Sequence, residues 1–322
     1  MSAPRIGVVD FYGRHKVPEP LLRKALGFAE GDALPRSKED VEEAVEAVKD
    51  VVSARLQAAC CEDGKAILYV GIEERGAPHF DYLPAPSGEP RLSEEIHNQY
   101  AAFLRSVQSA IREGKVNENL AQGHSLMEHA GAYANQLRFA DLAKAELPLL
   151  RQVLRESGDE EHRAIAAYII GYAPNKNDVT GDLQYALRDP DDTVRNNAMR
   201  ALGAIAVLAA KEPERALKVS PTWFIEALDS LIWQDRTTAA ATLVTLTEGR
   251  PANVIQHLKE RALPPLIEMA RWKHLPHALP AFILLGRVLG EAEEDIQKAW
   301  TEGRRDAWLT RLAPPTSGGK KK

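Results

Sequence analysis

Two hydrophobic periods alternate between Arg5 and Arg75. Residues 5–11, Arg-Ile-Gly-Val-Val-Asp-Phe, form a short β-type run. A helix should follow: Pro18 and Pro20 suit its first turn, Leu21, Leu22, Ala25 and Leu26 give an apolar side, and Gly27 suits the stop. Gly31-Asp32 reads as a turn. Ser37, with Asp40 three positions later, has the spacing of a capping box. Val41, Val45, Val48 and Val52 then fall on one helical face, with Glu42, Glu43, Glu46, Lys49 and Asp50 on the solvated side. Period 2 returns in Leu56, Ala58 and Cys60, and again in Leu68, Val70 and Ile72, with the turn Glu62-Asp63-Gly64 between the runs. The predicted order is β-α-α-β-β, a small α+β layer with two helices on one sheet face.

This order, together with Ile6–Gly13 (IGVVDFYG), the Glu30-Gly31-Asp32 turn and the closing Val70-Gly71-Ile72-Glu73-Glu74, resembles a polypeptide-transport-associated (POTRA) domain over residues 5–75. The resemblance implies partner binding rather than catalysis, often by addition of a strand to an exposed sheet edge. It also implies an extracytoplasmic setting such as a bacterial envelope. Such domains generally occur in tandem before a membrane barrel, and neither a barrel nor a second copy is found in this chain.

Residues 76–92 hold Gly76, Pro78, Pro84, Pro86, Gly88 and Pro90, a linker by composition. Phe80, Tyr82 and Leu83 inside it predict that the linker docks rather than floats. Ser93 starts a strongly amphipathic helix with Ile96, Tyr100, Phe103, Leu104, Val107 and Ile111 on one side, ending at Gly114. Further helical stretches are predicted through Leu120, Leu126, Met127 and Ala130, and through Tyr133, Leu137 and Ala140. They would bridge to the C-terminal helices or cap them.

From residue 144 helical pairs recur. Arg163, Ala166 and Gly171 return at one constant displacement as Arg195, Ala198 and Gly203. A looser copy holds Asp235, Arg236, Ala239 and Leu243, and a degenerate one pairs residues 263–272 with 280–289. The segment Leu187-Arg-Asp-Pro-Asp-Asp-Thr-Val-Arg-Asn-Asn-Ala-Met-Arg-Ala-Leu-Gly203 closely resembles a HEAT repeat. Asp189 and Pro190 break the chain between helices, Asp192 can cap the second helix, and Arg195 can reach an acid of a neighbouring turn, Asp159 or Asp235. The expected fold is therefore mostly α: an α-solenoid of HEAT-like helical pairs preceded by a small POTRA-like α+β domain. The expected divisions are 1–75 for the α+β domain, 76–92 for the linker, 93–143 for bridging helices, 144–312 for the solenoid and 313–322 for a disordered tail.

Composition sharpens this picture. The chain of 322 residues is 44% hydrophobic and 27% charged, which fits a globular protein, and its 6% aromatic content suits close packing on small residues. The net charge of −5 lacks the cationic excess of a nucleic-acid binder. No apolar run reaches membrane-span length. The first strand begins at Arg5, which fits a cytoplasmic chain or an extracytoplasmic (periplasmic) one whose leader has been removed. The two cysteines are adjacent, Cys60 and Cys61, and are expected to face opposite sides of a strand.

Chemistry-bearing patterns are sparse. His124 and Glu128, four apart, would share a helix face as metal ligands do, and His129 lies nearby; a packed or capping histidine is the plainer account. His274 and His277 flank a turn. No phosphate-binding glycine loop and no nucleophile elbow occurs. Trp223, Trp233 and Trp272 are candidates for a partner surface, and Arg163, Arg195 and Arg236 for a structural ladder with Asp159, Asp189, Asp192 and Asp235. The expectation is a non-enzymatic scaffold without cofactor or metal, binding an unidentified protein or peptide. The alternative is a HEAT-like enzyme or metal-binding protein centred on His124 and Glu128, since some HEAT-like folds act on DNA bases or bilin chromophores. A purely structural role in an envelope assembly or repeat-mediated oligomer is the third reading.

Overall fold

A computed structural model describes residues 4–312. The expected tail 313–322 lies outside the described residues. The chain runs β1 (Ile6–Tyr12), α1 (Glu19–Leu26), α2 (Lys38–Glu46), β2 (Val51–Glu62), β3 (Lys65–Glu74), α3 (Glu94–Glu113), β4 (Glu118–Asn119), β5 (Leu126–Met127), α4 (Ala130–Ala145), α5 (Leu147–Glu156), α6 (Glu160–Ile170), α7 (Lys176–Ala186), α8 (Asp192–Lys211), α9 (Thr222–Glu226), α10 (Trp233–Leu246), α11 (Ala252–Arg261), α12 (Leu263–Ala270), α13 (Leu275–Val288), α14 (Glu293–Thr301) and α15 (Arg305–Leu312). The described residues are mostly helical, with a small N-terminal sheet. No helix among them is long and apolar enough to cross a membrane.

The chain divides into two compact units. Among the described residues, one contains 4–80, 225–240 and 247–312; the other contains 81–224 and 241–246.

In the first unit β3 is the central strand, parallel to β1 and antiparallel to β2. Asp63 and Gly64 both take positive φ, the turn that a two-residue hairpin requires. Gly27 ends α1 in the left-handed region, and Ser37 Oγ accepts the Asp40 N–H. Val9, Phe11, Leu56, Val70 and Ile72 meet Leu22, Leu26, Val41 and Val45 in one apolar core. The valine-faced helix is shorter than its pattern: it stops at Glu46, and Val52 lies half exposed in β2. Asp50, at φ 70°, turns the chain there, and the β-branched Val51-Val52 pair joins the sheet.

The opposite sheet face is covered by the chain's own later residues. Tyr69 stacks on Trp233 with ring centroids 4.9 Å apart, and Trp272 packs against Tyr69 and Tyr12. Tyr12 Oη donates to Leu231 O at 2.8 Å, and the Trp233 N–H donates to Gln57 Oε1 at 2.6 Å. Gly71 permits this approach: a Cβ there would lie 2.6 Å from Leu231 O. Among the helices of this unit, α12 packs on α13 and α13 on α11 and α14. Pro280 lies inside α13, whereas the sequence pattern places a helix start at that proline.

In the second unit α5 packs on α6 and α7 on α8, while α6 contacts α8 and α5 contacts α7. This is the stacking of successive helical pairs. Gly171 permits a close approach of α6 to α8, since a Cβ there would stand 2.7 Å from Ala201 Cβ. Residues 118–127 form a two-stranded hairpin, not the predicted helix, although their apolar residues have helical spacing. Gly123, at φ 73°, and an Asn119 side chain that accepts the Ala121 N–H stabilise the turn instead.

Candidate functional site

The turns between paired helices carry a repeated arginine contact. Each arginine donates to the carbonyl six positions before it: Arg163 to Ser157 O at 2.9 Å, Arg195 to Asp189 O at 2.7 Å and Arg236 to Ser230 O at 2.6 Å. Such carbonyls end the preceding helix or turn and need a donor when buried. The planar guanidinium has N–H groups left for a second partner. Arg163 uses them in a bidentate pair with Asp189 at 2.8 and 2.9 Å, both side chains nearly inaccessible. Burial works against the charge of Arg163, but Asp189 outweighs it and holds the guanidinium charged. Arg236 stands 3.6 Å from Glu268 and over the Tyr12 ring; Arg195 stands 4.4 Å over the Tyr82 ring.

The spacing placed the cap of α8 one residue late. Asp191, not Asp192, caps α8, its carboxylate accepting the Val194 N–H at 3.0 Å. The cap must sit three positions before its donor, and Asp192 is already the first helical residue. Asp159 caps α6 through the His162 N–H and pairs with Arg91. Asp235 accepts from Ser230 Oγ at 2.7 Å.

In the second unit residues 81–92 run along the turns in extended form. Leu83 N–H donates to Arg188 O at 2.7 Å, Arg188 Nε to Asp81 O, Gly88 N–H to Glu156 O and Gly158 N–H back to Gly88 O. The Leu92 N–H donates to His162 Nδ1 at 3.0 Å. The prediction that the proline-rich segment docks through its aromatics is met by Tyr82, while Phe80 is buried.

His124 and Glu128 are not brought together. His124 Nδ1 lies 3.2 Å from Lys176 Nζ and its ring packs on Tyr172, whereas Glu128 accepts from Asn117. Burial and the neighbouring Lys176 push His124 down to about 4, and burial pushes Lys176 down to about 8. His129 caps α4, accepting the Ala132 N–H. Among the described residues no three His, Cys, Asp or Glu side chains converge as a metal site. His277 meets the Tyr69 hydroxyl at 2.7 Å, and its ring stands 4.0 Å from that of His274.

The tryptophans are engaged in packing rather than displayed together. Trp272 is 2% exposed, Trp233 lies on Tyr69, and Trp223 lies under Arg188 at 4.3 Å. Cys60 and Cys61 are joined in a vicinal disulfide, contrary to the expectation of two opposed strand residues. They occupy the bulge between Ala59 and Glu62, where the strand alternation is broken.

Sequence reasoning missed the loop after β1. Gly13 and Arg14 donate their backbone N–H groups to Glu268, and His15, Lys16 and Val17 donate theirs to Glu74. Five successive amides are thus satisfied by two carboxylates. The only sequence signal was a glycine following a strand. The sheet edges are also largely occupied. Outward N–H groups of Ala54 and Leu56 on β2 donate to Glu46 and Glu42 of α2. On β1, Ile6 bonds to residues 31 and 32, and Lys273 Nζ donates to Val9 O.

A family model described as HEAT repeats matches residues 147–219. That range covers α5 to α8 and the short 3-10 turn Pro213–Arg215. The match and the helical C-terminal part support a HEAT-repeat protein. HEAT repeats generally mediate protein–protein interaction and are generally non-enzymatic. No curated protein matches the chain.

Proposed function

We propose that this chain is a non-enzymatic scaffold that binds a protein or peptide partner through its HEAT-like helical pairs and through the edge of its POTRA-like sheet. The carrying observation is the outer edge of β2. Its first half is closed by Glu42 and Glu46, while Ala58, on the same outward register as Ala54 and Leu56, is exposed. A partner strand would add there, beside Ala58, by main-chain hydrogen bonds. The segment 81–92 is a second support. It already bonds to the repeat turns through backbone donors and acceptors, as a partner peptide would.

The test is affinity capture with the full chain, compared with Ala58→Pro. Proline removes the outward N–H and fits an edge position without breaking the pairing to β3. The scaffold reading expects a protein partner retained by the parent chain and lost in Ala58→Pro at unchanged melting temperature. If the parent chain retains no protein partner, the reading fails. If the partner is retained equally by the variant, strand addition fails and the helical pairs remain as the binding surface.

A further inference from the structure

A cleft of about 560 Å³ opens in the first unit between β1 with its following loop and α12. This volume lies within the range of small-molecule sites, roughly 300–1,000 Å³. Its walls are of two kinds. One is apolar: Phe11, Ile267, Pro264 and Trp272. The other is cationic: Arg14, Arg23, Arg271 and Lys273.

The acids of the cleft are already committed within the protein. Three carboxyl groups, Asp10, Glu19 and Glu268, share the cleft. Asp10 is 8% exposed, and burial raises its pKa against the opposing pull of Lys273. Burial likewise raises that of Glu268, despite Arg236 and two backbone amides. The Asp10 carboxylate accepts the Lys273 backbone N–H, and Glu268 accepts those of Gly13 and Arg14.

Arg14 also keeps donors in reserve. It is exposed, and its contacts to Val17 O and Glu19 are long, at 3.4 and 3.6 Å, so most of its five N–H groups can turn to a ligand. Lys273 uses its ammonium on Val9 O and Glu30, and Arg23 uses its Nε on Glu19, which fixes both at the cleft wall. The buried indole Nε1–H of Trp272 has no hydrogen-bond acceptor. An apolar wall facing a fork of cations fits a ligand with a flat apolar body and a charged oxyanion head.

We propose that this cleft binds a small organic anion, a ring-sized apolar body bearing a phosphate or carboxylate, with Arg14 and Arg271 receiving the oxyanion and Phe11, Ile267 and Trp272 receiving the body. This site is separate from the partner surfaces of the scaffold and does not depend on them.

The experiment titrates the full chain with phenyl phosphate and, in a second arm, with benzoate, followed by calorimetry and tryptophan fluorescence. Saturable one-to-one binding is expected for at least one of them, and the stronger arm identifies the head group. Phenol and phenyltrimethylammonium should bind at least about tenfold more weakly, since they lack the oxyanion that the arginines recognise. Arg14→Ala and Arg271→Ala should each weaken the anion by about tenfold, and Arg138→Ala, outside the cleft, should leave it unchanged. Arg14 is exposed, so Arg14→Ala decides the matter even if Arg271→Ala does not fold. Binding of neither anion, equal binding of the cation, or an unchanged Arg14→Ala overturns the proposal.

Discussion

The carboxylate of Glu74 accepts the backbone N–H of Val17 at 3.0 Å, and the same two oxygens take the amides of His15 and Lys16 at 2.7 Å. Glu74 sits at the end of the central strand and is 3% exposed. One side chain therefore fixes the loop that leads from β1 into α1. Glu74→Ala would leave three amides without acceptors. The expected loss is on the order of 3 kcal/mol, and Glu74→Gln, which keeps one acceptor oxygen, should lose less. Chemical denaturation of the full chain measures both.

The same carboxylate gives a pH dependence of definite sign. Burial alone would raise its pKa, but the three backbone donors outweigh burial and hold it below the usual range. A depressed carboxylate contributes stability that is present above the unfolded pKa of about 4.3 and is lost as pH falls through the folded value. Denaturation midpoints should therefore fall below about pH 4.5 in the parent chain, and part of that fall should be missing in Glu74→Gln. An identical acid limb in both proteins would rule out this role.

His124 titrates in a neighbouring window with its own sign. Burial and Lys176 depress it to about 4, so the unfolded chain takes up a proton below about pH 6.5 while the folded chain does not. Stability should drop as pH falls from about 6.5 to 4. The ring is partly exposed, so the slope should stay under the one-proton limit of ~1.4 kcal/mol per pH unit. His124→Gln should flatten that segment. Unchanged slopes in the two proteins would show that His124 does not titrate in this way.

Legibility followed sequence distance. The helical pairs were readable because Arg163, Ala166 and Gly171 recur as Arg195, Ala198 and Gly203, and a repeated helical pair makes its contacts mainly with its neighbours. The β-α-α-β-β unit was readable because a period of 2 and a period of 3.6 differ plainly and because Gly27 and Asp63-Gly64 mark stops. The register that separates Asp191 from Asp192 as a cap was beyond pattern reading, since adjacent aspartates offer the same chemistry. Leu126 and Met127 read as helical because their spacing did, while Gly123 and Asn119 decided for a hairpin. The covered face of the sheet and the cationic cleft were illegible for another reason. Tyr69 meets Trp272, and Arg14 shares a wall with Arg271, although each pair joins the N-terminal sheet region to the far C-terminal helices. Periodicity shows that such side chains are amphipathic, and carries no information on which distant partner they meet.

The Arg163–Asp189 pair supplies the last prediction. Both side chains are nearly inaccessible, and the pair joins α6 to the turn of the next helical pair. Removing one member of a buried pair leaves an uncompensated charge, so Arg163→Ala and Asp189→Ala should each cost about 3–5 kcal/mol. Arg163→Met with Asp189→Leu removes both charges and keeps volume, and it should cost less than the two single losses combined. Complete recovery is not expected. Arg163 also donates to Ser157 O, and the Asp189 carboxylate also accepts the Asp191 N–H, so both partners lose a bond in the double variant. A double-mutant cycle by urea denaturation gives the coupling. A coupling near zero would mean that the arginine serves only the carbonyl at the end of α5. Arg163 would then be a lock on its own turn rather than a link to the next helical pair.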